Sequence, residues 1–238
     1  MEKYIGIVCS NSKISTALGK ILEGTLGTPN EKFRFILDSI NILNGNKKDS
    51  RNTYLASFSH PLKVIVSMIT GIPFELFDDP IKKNNYIINI NTFEYKEGIA
   101  STSPAELYKN KLNNEQCNEW ITLNDFVNYF GHMLCKRFIN KDVWVRCEEI
   151  SCNNLTSGNG YRIYSDVRTR SEYEFIKKHD GAIITIDITS KSAKNSCIFD
   201  NSLLNETADY RVDISDNNIR SIETLSAIYD IVQSIQKS

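Results

Sequence analysis

Apolar and polar positions along the chain form blocks that predict strands followed by helices. The apolar run at residues 4–8 (YIGIV) predicts a buried strand, and apolar residues at helical spacing follow from about Ser15. Further strands are predicted at 54–58, 161–165 and 182–188, and further helices at 31–43, 61–70, 122–138, 143–149, 171–179 and 222–235. Strands that alternate with helices favour an α/β fold with a mostly parallel sheet.

One stretch interrupts this alternation. Residues 78–118 are polar and irregular, and they predict an inserted or lid-like region. With about 150 residues per domain as a prior, a chain of 238 residues predicts one domain with a large insertion. We therefore expect a single domain over residues 1–238.

Composition and charge exclude several classes of protein. Hydrophobic residues make up 41% and charged residues 24%, which excludes a wholly disordered chain. The 28 basic residues are balanced by 29 acidic ones, so no sequence-wide basic footprint for nucleic acid is expected. No run approaches the ~18 apolar residues of a membrane helix, and the first residues show no secretory pattern. We therefore expect a cytoplasmic protein without membrane contact. The six cysteines form no C-x-x-C pair, which predicts reduced thiols and no metal site.

Three segments of the chain together carry a resemblance to one family. They are SFSHPLK with GIPFELF at residues 57–63 and 71–77, TLNDFVNYFG with DVWV at 122–131 and 142–145, and SDVR at 165–168 with the strand after 181. In order and spacing they resemble the deoxynucleoside monophosphate kinases of bacteriophages over most of the chain. The resemblance implies a P-loop NTPase-like parallel sheet flanked by helices, with an inserted region that binds the nucleoside monophosphate. It also implies transfer of the γ-phosphoryl group of ATP to a deoxynucleoside monophosphate (dNMP) with Mg²⁺. The family's association with phages and the abundant Asn, Lys and Ile lead us to expect a viral origin and the host cytoplasm.

The family's phosphate-binding loop is poorly matched in this chain. A loop of the form G-x-x-x-x-G-K-[ST] brings backbone N–H groups and a lysine to the phosphates. Without a gap, Cys9 falls at the first glycine, Ile14 at the second and Ser15 at the lysine. With a gap, Lys13 is the phosphate lysine of a loop about two residues shorter than usual. The resemblance then places the remnant of the loop at Ser10, Asn11, Ser12, Ser15 and Thr16.

The acceptor side of the family's site is also only partly kept. Asn124 stands where the family has an arginine that binds substrate phosphate, and a neutral amide cannot replace a guanidinium fork. Lys13 and Arg168 are the catalytic candidates that the resemblance leaves. The remaining nucleotide-binding candidates are Gly131, Trp144, Asp166 and Arg170. Each has a structural alternative: close helix packing for Gly131, a core position for Trp144, and an ion pair between Asp166 and Arg168.

Three hypotheses stay open at this point. The first is a degenerate family member that keeps the fold and has lost phosphoryl transfer. Such a protein binds a dNMP as a regulator, or it serves as a structural subunit whose partner is a second copy of the chain or another protein. The second is an active kinase that uses Mg²⁺, ATP and Lys13 in an atypical short loop. The third is an unrelated α/β module. The kinase architecture requires the strand ending at Val8 to lie centrally, beside the strand ending at Ser165.

Overall fold

The chain divides into two compact units. The structure, a computed structural model, describes residues 2–28, 31–46, 52–79, 81–103, 120–154, 160–188, 199–215 and 218–237. The sheet unit comprises Met1–Phe58 and Ser151–Ser238, and the inserted unit comprises Ser59–Ile150. The sequence predicted a smaller insertion, at 78–118, and residues 80 and 104–118 of it lie outside the described residues.

Strands and helices alternate as the hydrophobic pattern predicts. The strands are β1 (Lys3–Val8), β2 (Thr53–Ala56), β3 (Tyr86–Asn89), β4 (Tyr95–Glu97), β5 (Trp120–Thr122), β6 (Tyr161–Val167), β7 (Ala182–Ile188) and β8 (Tyr210–Ile214). The helices are α1 (Ser12–Thr25), α2 (Lys32–Leu43), α3 (His60–Thr70), α4 (Phe74–Asp78), α5 (Lys82–Asn85), α6 (Leu123–Asn128), α7 (Val143–Asn154), α8 (Arg170–Lys178) and α9 (Ile222–Lys237). A π-helix covers Tyr129–Ile139, and a 3₁₀ helix covers Asn201–Asn205. None of the helices among these residues is long and apolar enough to cross a membrane.

A five-stranded parallel sheet forms the centre of the sheet unit. Its strand order is β2-β6-β1-β7-β8, and every neighbouring pair is parallel. Strand β1 lies in the middle, where Ile5 is in register with Ile163 of β6 and with Ala182 of β7. The prediction that the strand ending at Val8 lies centrally, beside the strand that contains Ser165, is therefore confirmed.

Apolar side chains of alternate strand residues bury one face of this sheet. Ile5 and Ile7 of β1 join a cluster with Ile14, Leu18 and Leu22 of α1, all of them almost fully buried. Residues of α2, α9 and the neighbouring strands complete the cluster. Burying a side chain of this size contributes about 1.5–3 kcal/mol. The same cluster joins β1 to α1, the helix that follows it.

The inserted unit has its own small sheet and its own apolar core. Strands β4, β3 and β5 form an antiparallel sheet in that order. Its core contains Leu62 and Val66 of α3, Ile88 of β3 and Phe126 of α6. The sequence predicted irregular structure where α5, β3 and β4 lie, because segments of three or four residues are too short to show a clear period.

Candidate functional site

The predicted site residues of the sheet unit lie near the carboxyl ends of β1 and β6. In an open parallel sheet, ligands bind at this edge. Asn11 follows β1, Asp166 is the second-to-last residue of β6, and Arg168 comes directly after that strand. The resemblance places the phosphate loop and the acceptor contacts at the same two strand ends. The local structure at each end decides which ligand it can hold.

The turn from β1 to α1 contains only three residues. Val8 ends the strand, Ser12 begins the helix, and Asn11 is the residue that caps the helix. The Asn11 side-chain oxygen accepts hydrogen bonds from the backbone N–H groups of Lys13 at 3.0 Å and Ile14 at 3.4 Å. Those two donors are therefore already satisfied by a side chain of the protein itself.

The other residues of the predicted loop belong to the first turn of α1. The Ser15 backbone N–H donates to the Asn11 carbonyl at 3.1 Å, and the buried Ser15 hydroxyl donates to the Ser12 carbonyl. Lys13 and Thr16 are exposed on the helix surface. A phosphate loop instead needs several consecutive N–H groups directed at one anion. In this turn the N–H groups of Lys13 and Ile14 are instead bonded to Asn11.

Cys9 stands where an ungapped comparison requires the first glycine of the loop. Its side chain is buried, and its sulfur accepts a hydrogen bond from the Asn11 N–H at 3.4 Å. Burial, together with the negative charge of Asp187, raises the pKa of the Cys9 thiol to about 11. Cys9 is therefore a neutral packing residue at physiological pH rather than a ligand for a phosphate.

Asp166 binds the chain that follows the neighbouring strand β2. Its two carboxylate oxygens accept hydrogen bonds from the Ser57 hydroxyl at 2.6 Å and from the Phe58 N–H at 3.1 Å. Both partners lie at the start of the segment that carries the resemblance at residues 57–63. Asp166, a predicted nucleotide-binding residue, thus positions the turn after β2.

Arg168 stands directly before the N-terminus of α8. Glu172 accepts hydrogen bonds from the backbone N–H groups of Arg168 at 2.7 Å and Thr169 at 3.0 Å. Thr169 and Glu172 form a capping box, in which the side chain of each bonds the backbone of the other. The Arg168 carbonyl accepts a hydrogen bond from the Asp200 N–H at 2.9 Å. The backbone of Arg168 is thus held on both sides, and its side chain is half-buried.

Arg170 is already paired with two carboxylates. Its Nε lies 3.0 Å from Glu174 Oε1, and its Nη1 is paired with Glu206. The hydrogen bonds to Glu174 and Glu206 raise the pKa of Arg170. An incoming phosphate at this place would meet the negative charge of both glutamates.

Gly131 and Trp144 belong to the inserted unit. A Cβ atom on Gly131 would lie 2.5 Å from Leu62 Cδ2, so the absence of a side chain lets the π-helix approach α3 closely. Trp144 is only 4% exposed and belongs to the apolar core of that unit. Gly131 thus allows close helix packing and Trp144 occupies a core position, the structural alternatives given for them in the sequence analysis. Among the described residues, no group of three or more His, Cys, Asp or Glu side chains could hold a metal ion.

Comparisons with known proteins add no relative. A scan against protein-family models and a search of curated proteins both found no match for this chain. The case for a function therefore rests on the residues and on their geometry.

Two structural roles were missed in the sequence although a signal for each was present. An asparagine directly before a helical pattern, as at Asn11, is typical of a helix cap. The spacing of Thr169 and Glu172 matches a capping box. Both caps lie at the strand ends where the resemblance predicts phosphate contacts.

Proposed function

We propose that this chain is a degenerate dNMP kinase-like protein that keeps the parallel sheet and has lost phosphoryl transfer from ATP. The capped three-residue turn between β1 and α1 is the observation that carries the proposal. It replaces a glycine-containing phosphate loop with a helix N-terminus whose N–H donors are bonded to Asn11. A protein with this turn lacks the cradle that ATP needs.

The contact between two of the resembling segments supports a relationship to the kinases. The segment at residues 57–63 follows β2, and the segment at 165–168 ends β6, which pairs with β2. Ser57 and Asp166, one from each segment, are joined by a hydrogen bond of 2.6 Å. Two resembling segments that lie far apart in the sequence are thus in contact in the folded chain, as they would be if both belonged to the kinase fold.

The charges near the carboxyl ends of the strands support the loss of catalysis. Phosphoryl transfer depends on positioning and on neutralising the charge of the phosphates, and one arginine contributes about 10³–10⁵ in rate in related chemistry. Arg170 is paired with Glu174 and Glu206, and Lys13 is exposed on α1. Arg170 is therefore already neutralised by two carboxylates of the protein itself.

Two roles are consistent with a protein of this kind. A regulator would bind a dNMP without transferring phosphate to it, and a structural subunit would bind another protein or a second copy of the chain. Mg²⁺ and ATP have no part in either role. Ligand binding separates the two roles.

A thermal-shift titration of the full chain tests the proposal. A ligand at 100 times its Kd stabilises a protein by about 2.7 kcal/mol, which raises Tm by several degrees. We expect Mg-ATP to leave Tm unchanged, both for the natural chain and for Lys13→Ala. A rise in Tm with Mg-ATP, combined with a more than tenfold loss of ATP affinity in Lys13→Ala, would contradict the proposal. A rise with a dNMP alone favours the regulator, and no rise with any nucleotide favours the structural subunit.

A further inference from the structure

A corner of the inserted unit exposes two large apolar side chains that are neighbours in the sequence. The π-helix ends at Ile139, and α7 follows after three residues. Phe138 and Ile139 are 71% and 72% exposed, whereas Cys135 and Trp144 on either side of them belong to the apolar core of the unit. Removing apolar surface of this size from water is favourable. The corner therefore presents an apolar surface that the packing of the unit leaves in water.

Hydrogen bonds fix the backbone of this corner. The Asn140 N–H donates to the Cys135 carbonyl at 3.1 Å, and the Val143 N–H donates to the Asn140 carbonyl at 3.1 Å. The Asn140 side-chain oxygen accepts a hydrogen bond from the Asp142 N–H at 2.8 Å. A surface that is already ordered loses less conformational entropy when a partner binds.

The two apolar side chains lie within a strongly basic segment. Residues 136–146 (KRFINKDVWVR), called the basic corner below, contain four basic residues and one acidic residue, a net charge of +3 on a chain whose net charge is −1. Three of the basic side chains are exposed: Arg137, Lys141 and Arg146. The acidic Asp142 is half-buried, and the next acidic residues on α7, Glu148 and Glu149, are buried and half-buried. Positive charge is therefore on the surface at this place.

Positive charge and apolar surface are also in contact with each other. The central carbon of the Arg137 guanidinium lies 5.7 Å from the centre of the Phe138 ring. An arginine in this position covers apolar surface with its stem and keeps its charged head available to a partner. One partner can therefore contact the ring and the charge together.

The charge of the basic corner decides between the possible occupants of this surface. A symmetric dimer through the corner would place the same positive charge on both sides of the interface, which is unfavourable. An anionic surface is attracted instead. A bilayer accepts exposed apolar side chains at its headgroup boundary without a pocket shaped to fit them. The combination of charge and exposed apolar side chains thus favours an anionic lipid surface.

We propose that the basic corner binds the surface of membranes that contain anionic phospholipids. Phe138 and Ile139 enter the boundary between headgroups and acyl chains, and the basic side chains around them bind the headgroup phosphates and carboxylates. The sequence predicted no membrane contact because no apolar run is long enough to span a bilayer, but binding at the surface needs no such run. This inference does not depend on the proposed loss of phosphoryl transfer.

Cosedimentation of the full chain with lipid vesicles tests the proposal. Vesicles of phosphatidylcholine with about one-third phosphatidylserine are compared with vesicles of phosphatidylcholine alone, at low and at high salt. We expect binding to the anionic vesicles at low salt, and binding at least about tenfold weaker to the neutral vesicles and at about 0.5 M salt. No binding to anionic vesicles, or equal binding to both compositions, would overturn the proposal.

Two further measurements distinguish the other occupants. Binding to soluble polyglutamate without binding to anionic vesicles would overturn the proposal in favour of an acidic protein surface. Light scattering of the chain alone reports self-association. A dimer that dissociates in Ile139→Ser would overturn the proposal in favour of a second copy of the chain.

Substitutions in the basic corner test which side chains bind the vesicles. We expect affinity for anionic vesicles to fall by about tenfold in Ile139→Ser and by about fivefold in Lys141→Gln. Ile222→Ser is the matched apolar control, since Ile222 is 65% exposed and precedes the acidic Glu223. Lys20→Gln, at an exposed lysine of α1, is the matched charge control. An unchanged Tm shows that each variant is folded. Natural affinity in both corner variants, or equal losses in the controls, would contradict the assignment.

A tryptophan at the corner tests the orientation of the bound protein. Phe138→Trp keeps a large aromatic side chain that suits the headgroup boundary. Anionic vesicles with brominated acyl chains quench tryptophans that enter them. We expect stronger quenching in this variant than in the natural chain, whose Trp120 and Trp144 are half-buried and buried. Quenching equal to that of the natural chain would show that another surface meets the membrane and would overturn the proposal.

Discussion

The Ser57 hydroxyl donates a hydrogen bond of 2.6 Å to the Asp166 carboxylate, joining the chain after β2 to the end of β6. The second carboxylate oxygen of Asp166 accepts from the Phe58 N–H at 3.1 Å. Both bonds lie at the edge where a parallel sheet binds its ligands. A residue that the resemblance assigns to nucleotide binding thus has a structural partner in this protein.

Replacing Asp166 should destabilise the sheet unit. In Asp166→Ala the Ser57 hydroxyl and the Phe58 N–H lose their acceptor, and the free energy of unfolding should fall by about 1–3 kcal/mol. Urea denaturation followed by circular dichroism measures the change. The exposed Asp213 on β8 provides the control, because Asp213→Ala should alter stability by less than about 0.5 kcal/mol. Equal stability of the two variants would show that the bonds to Asp166 contribute nothing.

The strands of the parallel sheet could largely be predicted from apolar runs. Strand β7 begins and ends where the pattern predicts, and β1 and β6 differ from their predictions by one or two residues. Strand β8 was missed although YRVDI alternates apolar and polar residues as a strand does, because the segment is short and polar sequence flanks it on both sides. The π-helix at Tyr129–Ile139 was predicted as a continuation of one α-helix, since apolar spacing does not separate the two helix types.

The Asn11 cap should stabilise α1 without any ligand. In Asn11→Ala the N–H groups of Lys13 and Ile14 lose their acceptor, and stability should fall by about 1 kcal/mol. Asn11→Asp keeps an acceptor oxygen at the same place and should retain most of the stability. Chemical denaturation of both variants gives the comparison. An equal loss in both would mean that the side-chain oxygen is not what holds the turn.

Lys63 should control the titration of Asp78 in the inserted unit. Burial acts to raise the pKa of Asp78, but the hydrogen bond and the charge of Lys63, 2.8 Å away, outweigh it and hold the pKa below 3.8. A carboxyl whose pKa is lowered by folding adds stability above its unfolded pKa. That stability is lost as the pH falls below about 3.8 through the folded pKa.

In Lys63→Ala we therefore expect the pKa of Asp78 to rise, as measured by carbon NMR of the carboxyl groups. Asp79 is the matched control, because backbone N–H groups of Lys82 and Ile81 lower its pKa and Lys63 takes no part. A pKa of Asp78 that does not move in Lys63→Ala would rule out the pair as the cause.

A side chain at position 131 should be tolerated only if the Leu62 side chain moves to another position. The added Cβ of Gly131→Ala would lie 2.5 Å from Leu62 Cδ2, and such overpacking costs about 1–3 kcal/mol. Combining it with Leu62→Ala should give a loss smaller than the sum of the two single losses. Strict additivity in this double-mutant cycle would show that Gly131 is not constrained by Leu62.

The candidate site was harder to predict than the fold. Its residues were taken from the resemblance, and a family pattern cannot show whether an individual side chain has acquired another partner. Arg170 illustrates this, because Glu206 lies 36 positions later in the chain and only folding brings the two together. The Asn11 cap depends likewise on where β1 stops, which apolar spacing defines only to within a few residues.

ADP release is the measurement that tests the loss of phosphoryl transfer most directly. The purified full chain is incubated with Mg-ATP and each of the four common dNMPs, and ADP is followed by a coupled assay. Because N–H donors of the β1–α1 turn are already bonded to Asn11, we predict no ADP release above the rate without protein. Steady release that depends on one dNMP and disappears in Lys13→Ala would contradict the account and establish an active kinase.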